Sequence, residues 1–213
     1  MPRVLYSVGL GPGTDVISQS AFEDKIKATL SDPRGWRKYG YEFIKTACRQ
    51  PVLHIHMEAA ENAAQQCGME GFSCWRDEPN DIIINLKNWM GGSKSELPLE
   101  RYRTYVILHE VGHALGLDHQ SCPIKECTRR GMDTCPGPVM MQMTRGPKHI
   151  APCVENEWPL DPDWKIEDPR IARQYLAMVI ICVIVLILLV CVSMAGSFVQ
   201  MRNGVMRSQF KSA

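Results

Sequence analysis

The sequence lacks a surplus of charge of either sign. Its 213 residues carry 24 Lys and Arg against 23 Asp and Glu, so the formal net charge is only +1. A chain without excess basic residues has no broad positive field to hold a nucleic-acid backbone. We therefore expect no nucleic-acid partner. No internal repeat is visible, and the length suits one folded domain with a modest extension.

The N-terminus lacks the pattern of a secretory signal peptide. Residues 1–10 contain one arginine and a short apolar run, and the Gly-Pro-Gly at 11–13 follows without a small-residue cleavage site. The alternation of Val4, Tyr6 and Val8 is typical of a strand. The sequence therefore predicts a first strand here rather than a leader.

One long apolar run is present near the C-terminus. Every residue from Leu176 to Val192 is apolar, and Ser193 and Ser197 are the only polar side chains before Gln200. A helix over 176–199 would rise about 36 Å at roughly 1.5 Å per residue, which exceeds a hydrocarbon core about 30 Å thick. The sequence therefore predicts a transmembrane helix at 175–199.

This layout predicts a single-pass membrane protein anchored to a lipid bilayer by its C-terminus. The expected parts are a domain at 1–153, a Pro-rich charged stalk at 154–174, the membrane helix at 175–199 and a short basic tail at 200–213. Lys and Arg balance on the two sides of the helix, which leaves its sidedness open. A cell membrane and a viral envelope both fit.

The remaining pattern indicates an α+β fold, because a helix followed by strands precedes a second helical stretch. Ser20 and Glu23 have the spacing of a capping box at the start of the first helix. The predicted elements are a strand at Arg3 to Val8, a helix near Ser20 to Leu30, and strands at Tyr41 to Thr46, Val52 to Glu58 and Asp81 to Leu86.

After Pro98 the apolar residues recur at spacings of three and four, which predicts a helix with one inward stripe. That stripe ends in His109 and His113, which lie one turn apart and can bind the same ion. Gly116 can adopt a positive φ, end the helix and bring His119 back toward that ion. Three histidines leave the fourth tetrahedral position of Zn²⁺ to water, as in catalytic sites.

Glu110 follows the first of these histidines. A carboxylate there can accept the proton of a zinc-bound water, whose pKa the metal lowers to about 7, and later pass it to a leaving amine. A chance match of this set of five specified residues has odds on the order of 10⁻⁵. The sequence therefore predicts a zinc site at His109, His113 and His119 with Glu110 as the catalytic base.

Residues 109–119 read His-Glu-Val-Gly-His-Ala-Leu-Gly-Leu-Asp-His, which resembles the extended motif of the metzincin clan of zinc endopeptidases. The resemblance implies a metzincin-like catalytic domain, with a twisted mixed sheet, an active-site helix and a methionine turn beneath the metal. Pro138 to Gln142 looks like that turn, with Met140 as the turn methionine and Met141 as the alternative. It also implies a protein or peptide substrate.

Within that clan, several segments are most similar to an uncharacterised family of secreted, metzincin-like proteins of actinobacteria. The likeness covers about residues 18–146 and does not supply a substrate. It departs from better-known members after the turn, where Gln142 stands in place of a tyrosine, so no tyrosine ligand is expected. The similar segments are 32–36, 83–86, 102–106 and 138–142.

Cysteine is abundant, with nine in the chain. The density before the apolar run favours an oxidised domain. The best local pair is Cys67 with Cys74, across a loop containing glycine, and Cys122 and Cys135 are further disulfide candidates that would pin the loop beneath the zinc. Seven of the nine cysteines precede the apolar run. Because seven is an odd number, at least one of these thiols stays unpaired or pairs elsewhere. The seven are Cys48, Cys67, Cys74, Cys122, Cys127, Cys135 and Cys153.

Three functions remain in competition. The first is a membrane-anchored, zinc-dependent endopeptidase whose extended substrate pairs as a strand beside Asp81 to Leu86. The alternative is a metzincin-fold adhesion or membrane-fusion module with structural zinc, against which the intact Glu110 argues. Zinc-dependent hydrolysis of a non-peptide amide is a third possibility.

Three other polar residues have weaker interpretations. His54 and His56 lie two apart, so on a strand they share a face, and we expect that face to be solvated. Asp118 is either an acceptor for a ligand histidine or a loop residue.

Overall fold

The computed structural model describes residues 2–46, 53–162 and 164. Most of the described chain before residue 115 is regular structure, whereas the part after it is mainly loop. The strands are β1 (Arg3–Leu10), β2 (Glu42–Lys45), β3 (Leu53–Glu58), β4 (Cys74–Arg76), β5 (Asp81–Asn85), β6 (Cys135–Pro136) and β7 (Cys153–Val154). The helices are α1 (Gln19–Ser31), α2 (Ala60–Cys67), α3 (Leu86–Gly91), α4 (Leu99–Ala114) and α5 (Ile124–Arg129).

The main sheet has five strands in the order β2-β1-β3-β5-β4. The first four are parallel, and β4 pairs antiparallel with β5. The fold is therefore α+β with a mixed sheet. Because β5 is paired on both sides, the expectation that a substrate strand adds beside Asp81 to Leu86 is wrong. The edge strand next to β5 is β4.

The core lies between one face of the sheet and the helices α1 and α4. Alternate residues of β3 supply Leu53, Ile55 and Met57 to this core, while His54 and His56 point to the other face and stay partly exposed. The alternation follows the strand period of two that the sequence shows. The predicted strands at β1, β2, β3 and β5 and the helices at α1 and α4 are confirmed.

Helix α4 runs through the interior. An unbroken stretch from Thr104 to Gly112 is buried, because α4 packs against α1 and α3 as well as β4 and β5. A helix in contact with neighbours on several sides holds its side chains in fixed directions. The histidines at its C-terminal end are therefore carried on a rigid element.

Three disulfides are present in the described part of the chain. Cys67 and Cys74, the pair expected from the sequence, join the end of α2 to the start of β4. Cys122 is bonded to Cys153 and Cys127 to Cys135, so the other two candidates, Cys122 and Cys135, belong to different bridges. Cys48 lies outside the described residues.

Residues 155–161, where the sequence predicts the start of a stalk, lie against the domain. Arg101 on α4 forms an ion pair of 2.6 Å with the buried Glu157. The hydroxyl of Tyr39 donates to the carbonyl of Leu160 at 2.8 Å. The folded part thus continues past residue 153.

The predicted fold class requires one correction. It added a C-terminal transmembrane helix, but over residues 2–46, 53–162 and 164 no helix is long and apolar enough to cross a membrane. The apolar run at 175–199 and the tail at 200–213 lie outside the described residues.

Candidate metal centre

The last turns of α4 carry His109 and His113. The helix ends at Ala114, and Gly116 has φ +87°, a left-handed conformation that glycine adopts without strain. The backbone N–H groups of Gly116 and Leu117 donate to the last carbonyls of the helix, at 2.9 Å each. The chain then turns back, and His119 meets the two helix histidines.

The three imidazoles converge. One ring nitrogen of each of His109, His113 and His119 lies within 4.8 Å of the corresponding nitrogens of the other two. Their ring centroids are 4.9 Å, 5.3 Å and 4.8 Å apart. This spacing allows one ion to bind all three nitrogens, as a three-histidine zinc site requires.

The other ring nitrogens of the two helix histidines are held by backbone carbonyls. Nδ1 of His109 is 2.8 Å from the carbonyl of Val139, and Nδ1 of His113 is 2.9 Å from that of Leu117. A carbonyl only accepts, so Nδ1 carries the proton in both rings. Each Nε2 is left with a lone pair for a metal, the tautomer that such hydrogen bonds fix in metal sites.

The surroundings favour the neutral form of His109 and of His119. Burial, together with the neighbouring His113, lowers the pKa of His109 to about 3. Burial and His113 also lower the pKa of His119. Protonation of His109 would place a positive charge at a buried position beside His113, which is unfavourable. Neutral nitrogens at ordinary pH are the form that binds metal.

Glu110 lies beside the three histidines on the wall of the same cleft. Its side chain is buried, and burial raises the pKa of its carboxyl to about 8, against the opposing effect of a backbone hydrogen bond from Trp75. A cation nearby would favour the carboxylate and bring this pKa down. Glu110 can therefore exchange a proton near neutral pH.

Met140 is fully buried beneath α4. A Cβ added at Gly112 would lie 2.2 Å from its Sδ and 2.8 Å from Cζ2 of Trp36. Only glycine permits this approach, which explains a residue that is otherwise unfavourable within a helix. The carbonyl of Met140 accepts from the backbone N–H of Gln120 at 3.0 Å, next to His119.

Tyr105 is a residue of the site that the sequence analysis missed. Its hydroxyl donates to the carbonyl of Met141 at 2.9 Å and accepts from the backbone N–H of Met143 at 3.0 Å. Burial raises the pKa of this hydroxyl far above its usual value, so it remains a donor. Its position one turn before His109, on the same stripe, was the available signal.

A cleft of about 190 Å³ opens over these groups. Its far wall is the edge strand β4 with the residues just before it, so the cleft runs along the edge of the sheet. The lining residues outside α4 and the histidines are Met69, Phe72, Ser73, Cys74, Trp75, Gln142 and Thr144.

The other predicted polar residues lie elsewhere or have other partners. Asp118 accepts from the backbone N–H of its neighbour His119 at 3.1 Å. His54 is 2.8 Å from the hydroxyl of Ser7, and His56 lies 3.5 Å from Asp81, on the sheet face away from α4.

A second group of possible ligand atoms, the sulfurs of Cys122, Cys135 and Cys153, does not offer thiolates. All three sulfurs are in disulfides. Among the residues described, the three histidines are thus the better candidate for a metal site.

Three convergent imidazoles beside a buried carboxyl group define a candidate metal centre. Over residues 4–172 the chain matches the model of a family described as "Protein of unknown function (DUF3152)". The match covers most of the chain, so the protein belongs to this family. No curated protein matches it.

Proposed function

We propose that this protein is a zinc-dependent endopeptidase of the metzincin type. The observation that carries the proposal is the convergence of His109, His113 and His119 next to the buried Glu110, in a cleft that follows a sheet edge. A purely structural zinc site needs four protein ligands and no acid or base. Here three nitrogens and one carboxyl group face an open cleft.

The three histidines fit zinc. They supply three nitrogen donors, and hydrogen bonds to the carbonyls of Val139 and Leu117 orient two of the rings. When bound there, zinc would supply Lewis acidity, which lowers the pKa of a water and polarises the carbonyl under attack. Neutral histidines let the ion bind without displacing protons from the rings.

Glu110 is proposed to move the proton. Its carboxylate takes the proton of the attacking water and returns it to the amine that leaves. Burial supports this role, because a carboxyl with a pKa of about 8 holds a proton more strongly than an exposed one. A nearby cation would bring that pKa down toward the working range.

The edge strand β4 supports a polypeptide substrate over a small amide. An extended peptide can hydrogen-bond to the free edge of β4, with its scissile bond carried across the cleft toward Glu110. Trp75 on β4 lies in the wall of this cleft. The disulfide between Cys67 and Cys74 tethers the beginning of the edge strand.

The test uses the full chain, purified under oxidising conditions and loaded with zinc. Wild type is expected to bind one zinc and to cleave members of a broad peptide library. Glu110→Gln keeps the size of the side chain but not its basicity, so it should bind zinc and cleave about 10²–10⁴-fold more slowly. Glu96→Gln, at an exposed position, is the matched control and should behave as wild type.

Two results would count against the proposal. One is a wild-type protein with one bound zinc that cleaves nothing in the library. The other is a Glu110→Gln variant as active as wild type, which would place the proton transfer elsewhere.

A further inference from the structure

The cleft over the histidines continues into a second, larger cleft of about 550 Å³. The two share Phe72 and Thr144 in their walls. If a substrate polypeptide lies along β4 and extends past Phe72, its side chains there therefore enter this second cleft. We call it the basic cleft, after the residues of its wall: Glu70, Gly71, Phe72, Lys87, Asn88, Ser93, Lys94, Thr144, Arg145 and His149.

The charge of the basic cleft is unbalanced. Lys87, Lys94 and Arg145 line it, against one carboxylate, Glu70. Within the described part of the chain, none of these three cations takes part in an ion pair. Their positive charge is therefore available to a ligand.

Arg145 stands at the junction of the two clefts. Its guanidinium lies over the ring of Phe72, 5.4 Å from the ring centroid. A guanidinium held against an aromatic face loses little freedom on binding and keeps a planar edge for a carboxylate.

The walls of the basic cleft are fixed by hydrogen bonds and close packing. Asn88 donates to the carbonyl of Gly71 at 2.6 Å, and the hydroxyl of Ser93 donates to the carbonyl of Thr144 at 3.2 Å. A Cβ at Gly146 would lie 3.0 Å from the carbonyl oxygen of Lys94, so these two loops touch. The cations therefore sit on segments tied to one another and to the turn that follows Met143.

We propose that the basic cleft is a substrate subsite that takes an acidic side chain on one side of the scissile bond. The proposal rests on the proposed peptidase function and names its substrate class, which is polypeptides with Asp or Glu near the cleavage point. Three cations around one carboxylate attract a second carboxylate and repel Lys and Arg. An Arg side chain at the entrance can form two parallel hydrogen bonds to it.

The test compares matched peptides. At each of four positions on either side of the bond that wild type cleaves, peptides with Glu and with Gln are compared by kcat/KM in the full chain loaded with zinc. Glu is expected to be preferred about tenfold at one position, a usual size for a contact of this kind. Absence of a Glu preference at every position, with cleavage intact, overturns the subsite but leaves the peptidase standing.

The residue assignment has its own control. Arg145→Gln is expected to reduce the Glu to Gln ratio about fivefold, as the loss of one charged contact does. Lys148→Gln removes the same charge three residues along, at an exposed position outside both clefts, and should leave the ratio at the wild-type value. Equal ratios in wild type and Arg145→Gln would overturn the assignment.

A binding measurement separates the two proposals. Two fluorescein-labelled decapeptide pools, identical except for Glu or Gln at every third position, are titrated by anisotropy against zinc-loaded Glu110→Gln protein. The Glu pool is expected to bind more tightly, and Arg145→Gln should reduce the difference. Here too the variant is expected to keep a small residual preference, as in the cleavage assay. If wild type cleaves nothing while Glu110→Gln protein still binds the Glu pool more tightly, the peptidase fails and the basic cleft stands as an acidic-peptide site.

Discussion

The two regions of the domain on either side of Gly116 are stabilised by different interactions. In the described chain, residues 3–114 contain the five-stranded sheet and four α-helices, and the buried aromatic side chains all belong to this region. After Gly116 the regular structure of the described residues is one α-helix of six residues, two 3-10 helices of three and two strands of two. Two of the three disulfides lie there.

This difference matters because the candidate metal centre draws on both regions. His109 and His113 stand on α4, where apolar packing holds them. His119 and the carbonyl of Val139, which orients His109, belong to the second region. We infer that the first region holds its share of the site by burial, whereas the second adds covalent and polar links to the burial of residues such as Met140.

The largest expected effect comes from removing a disulfide of the second region. Cys122→Ala with Cys153→Ala opens a bridge across 31 residues, which should cost about 3–4 kcal/mol of unfolding free energy. It should also weaken zinc binding about tenfold or more, because His119 loses its support. Denaturant unfolding and competition with a chromophoric chelator measure the two effects.

The matched variant is Cys67→Ala with Cys74→Ala, a bridge across seven residues in the first region. Its stability loss should be about 2 kcal/mol, and its zinc affinity should stay at the wild-type value. If both pairs weaken zinc binding equally, the division between the two regions is wrong.

The next effect tests the contact between the regions. Gly112→Ala brings a methyl group against Met140 and Trp36, and overpacking of this kind should cost about 1–3 kcal/mol. Gly91→Ala, in α3, meets nothing within 4 Å and should change stability by about 0.5 kcal/mol or less. Urea denaturation of both variants measures the two changes in unfolding free energy. If Gly112→Ala and Gly91→Ala have equal unfolding free energies, Met140 is not packed tightly against α4.

Much of the first region could be predicted from the sequence, because its periodicities are strong. The alternation in β3 and the stripe of α4 determine which side chains face inward, and the spacing of His109, His113 and His119 indicates their convergence. The N-cap residue of the first helix, however, was predicted wrongly. The first helix is capped by Ser18, whose hydroxyl accepts from the backbone N–H of Ala21, and not by Ser20. Two serines lie near the start of this helix, and either could serve as the N-cap residue.

The rest depends on long-range contacts that the sequence does not encode locally. A three-residue strand such as β4 has no recognisable period, so β5 was mistaken for a strand beside which a substrate could pair. The partners of Cys122 and Cys135 are set by how the second region folds back. Gly112 appeared only mildly unfavourable, since nothing in the sequence puts Met140 against it.

The smallest effect concerns the ion pair that joins α4 to the segment after β7. Burial alone would raise the pKa of Glu157, but hydrogen bonds from Arg101 hold it below its usual value. A carboxyl group whose pKa is lower in the folded state than in the unfolded state stabilises the fold at any pH above its unfolded pKa, which is about 4.3. This contribution is lost as the pH falls through the pKa of the folded state.

Glu157→Gln should therefore be less stable than wild type at pH 7, and the difference should shrink below about pH 4. Thermal unfolding of both proteins between pH 3 and pH 7 measures it. Glu96→Gln is the control at an exposed position. A difference that does not vary with pH would show that the ion pair does not join this segment to the first region.

The turn at Gly116 also determines how much conformational entropy the chain loses when the three histidines come together. The cost of closing a loop grows with the logarithm of its length, and all three ligands lie within residues 109–119. Two of them are already fixed one turn apart once α4 has formed. Bringing in the third restricts only a short stretch of chain, and a glycine with φ +87° bends that stretch without strain. Most of the conformational cost of this site is therefore met by folding α4, before any ion binds.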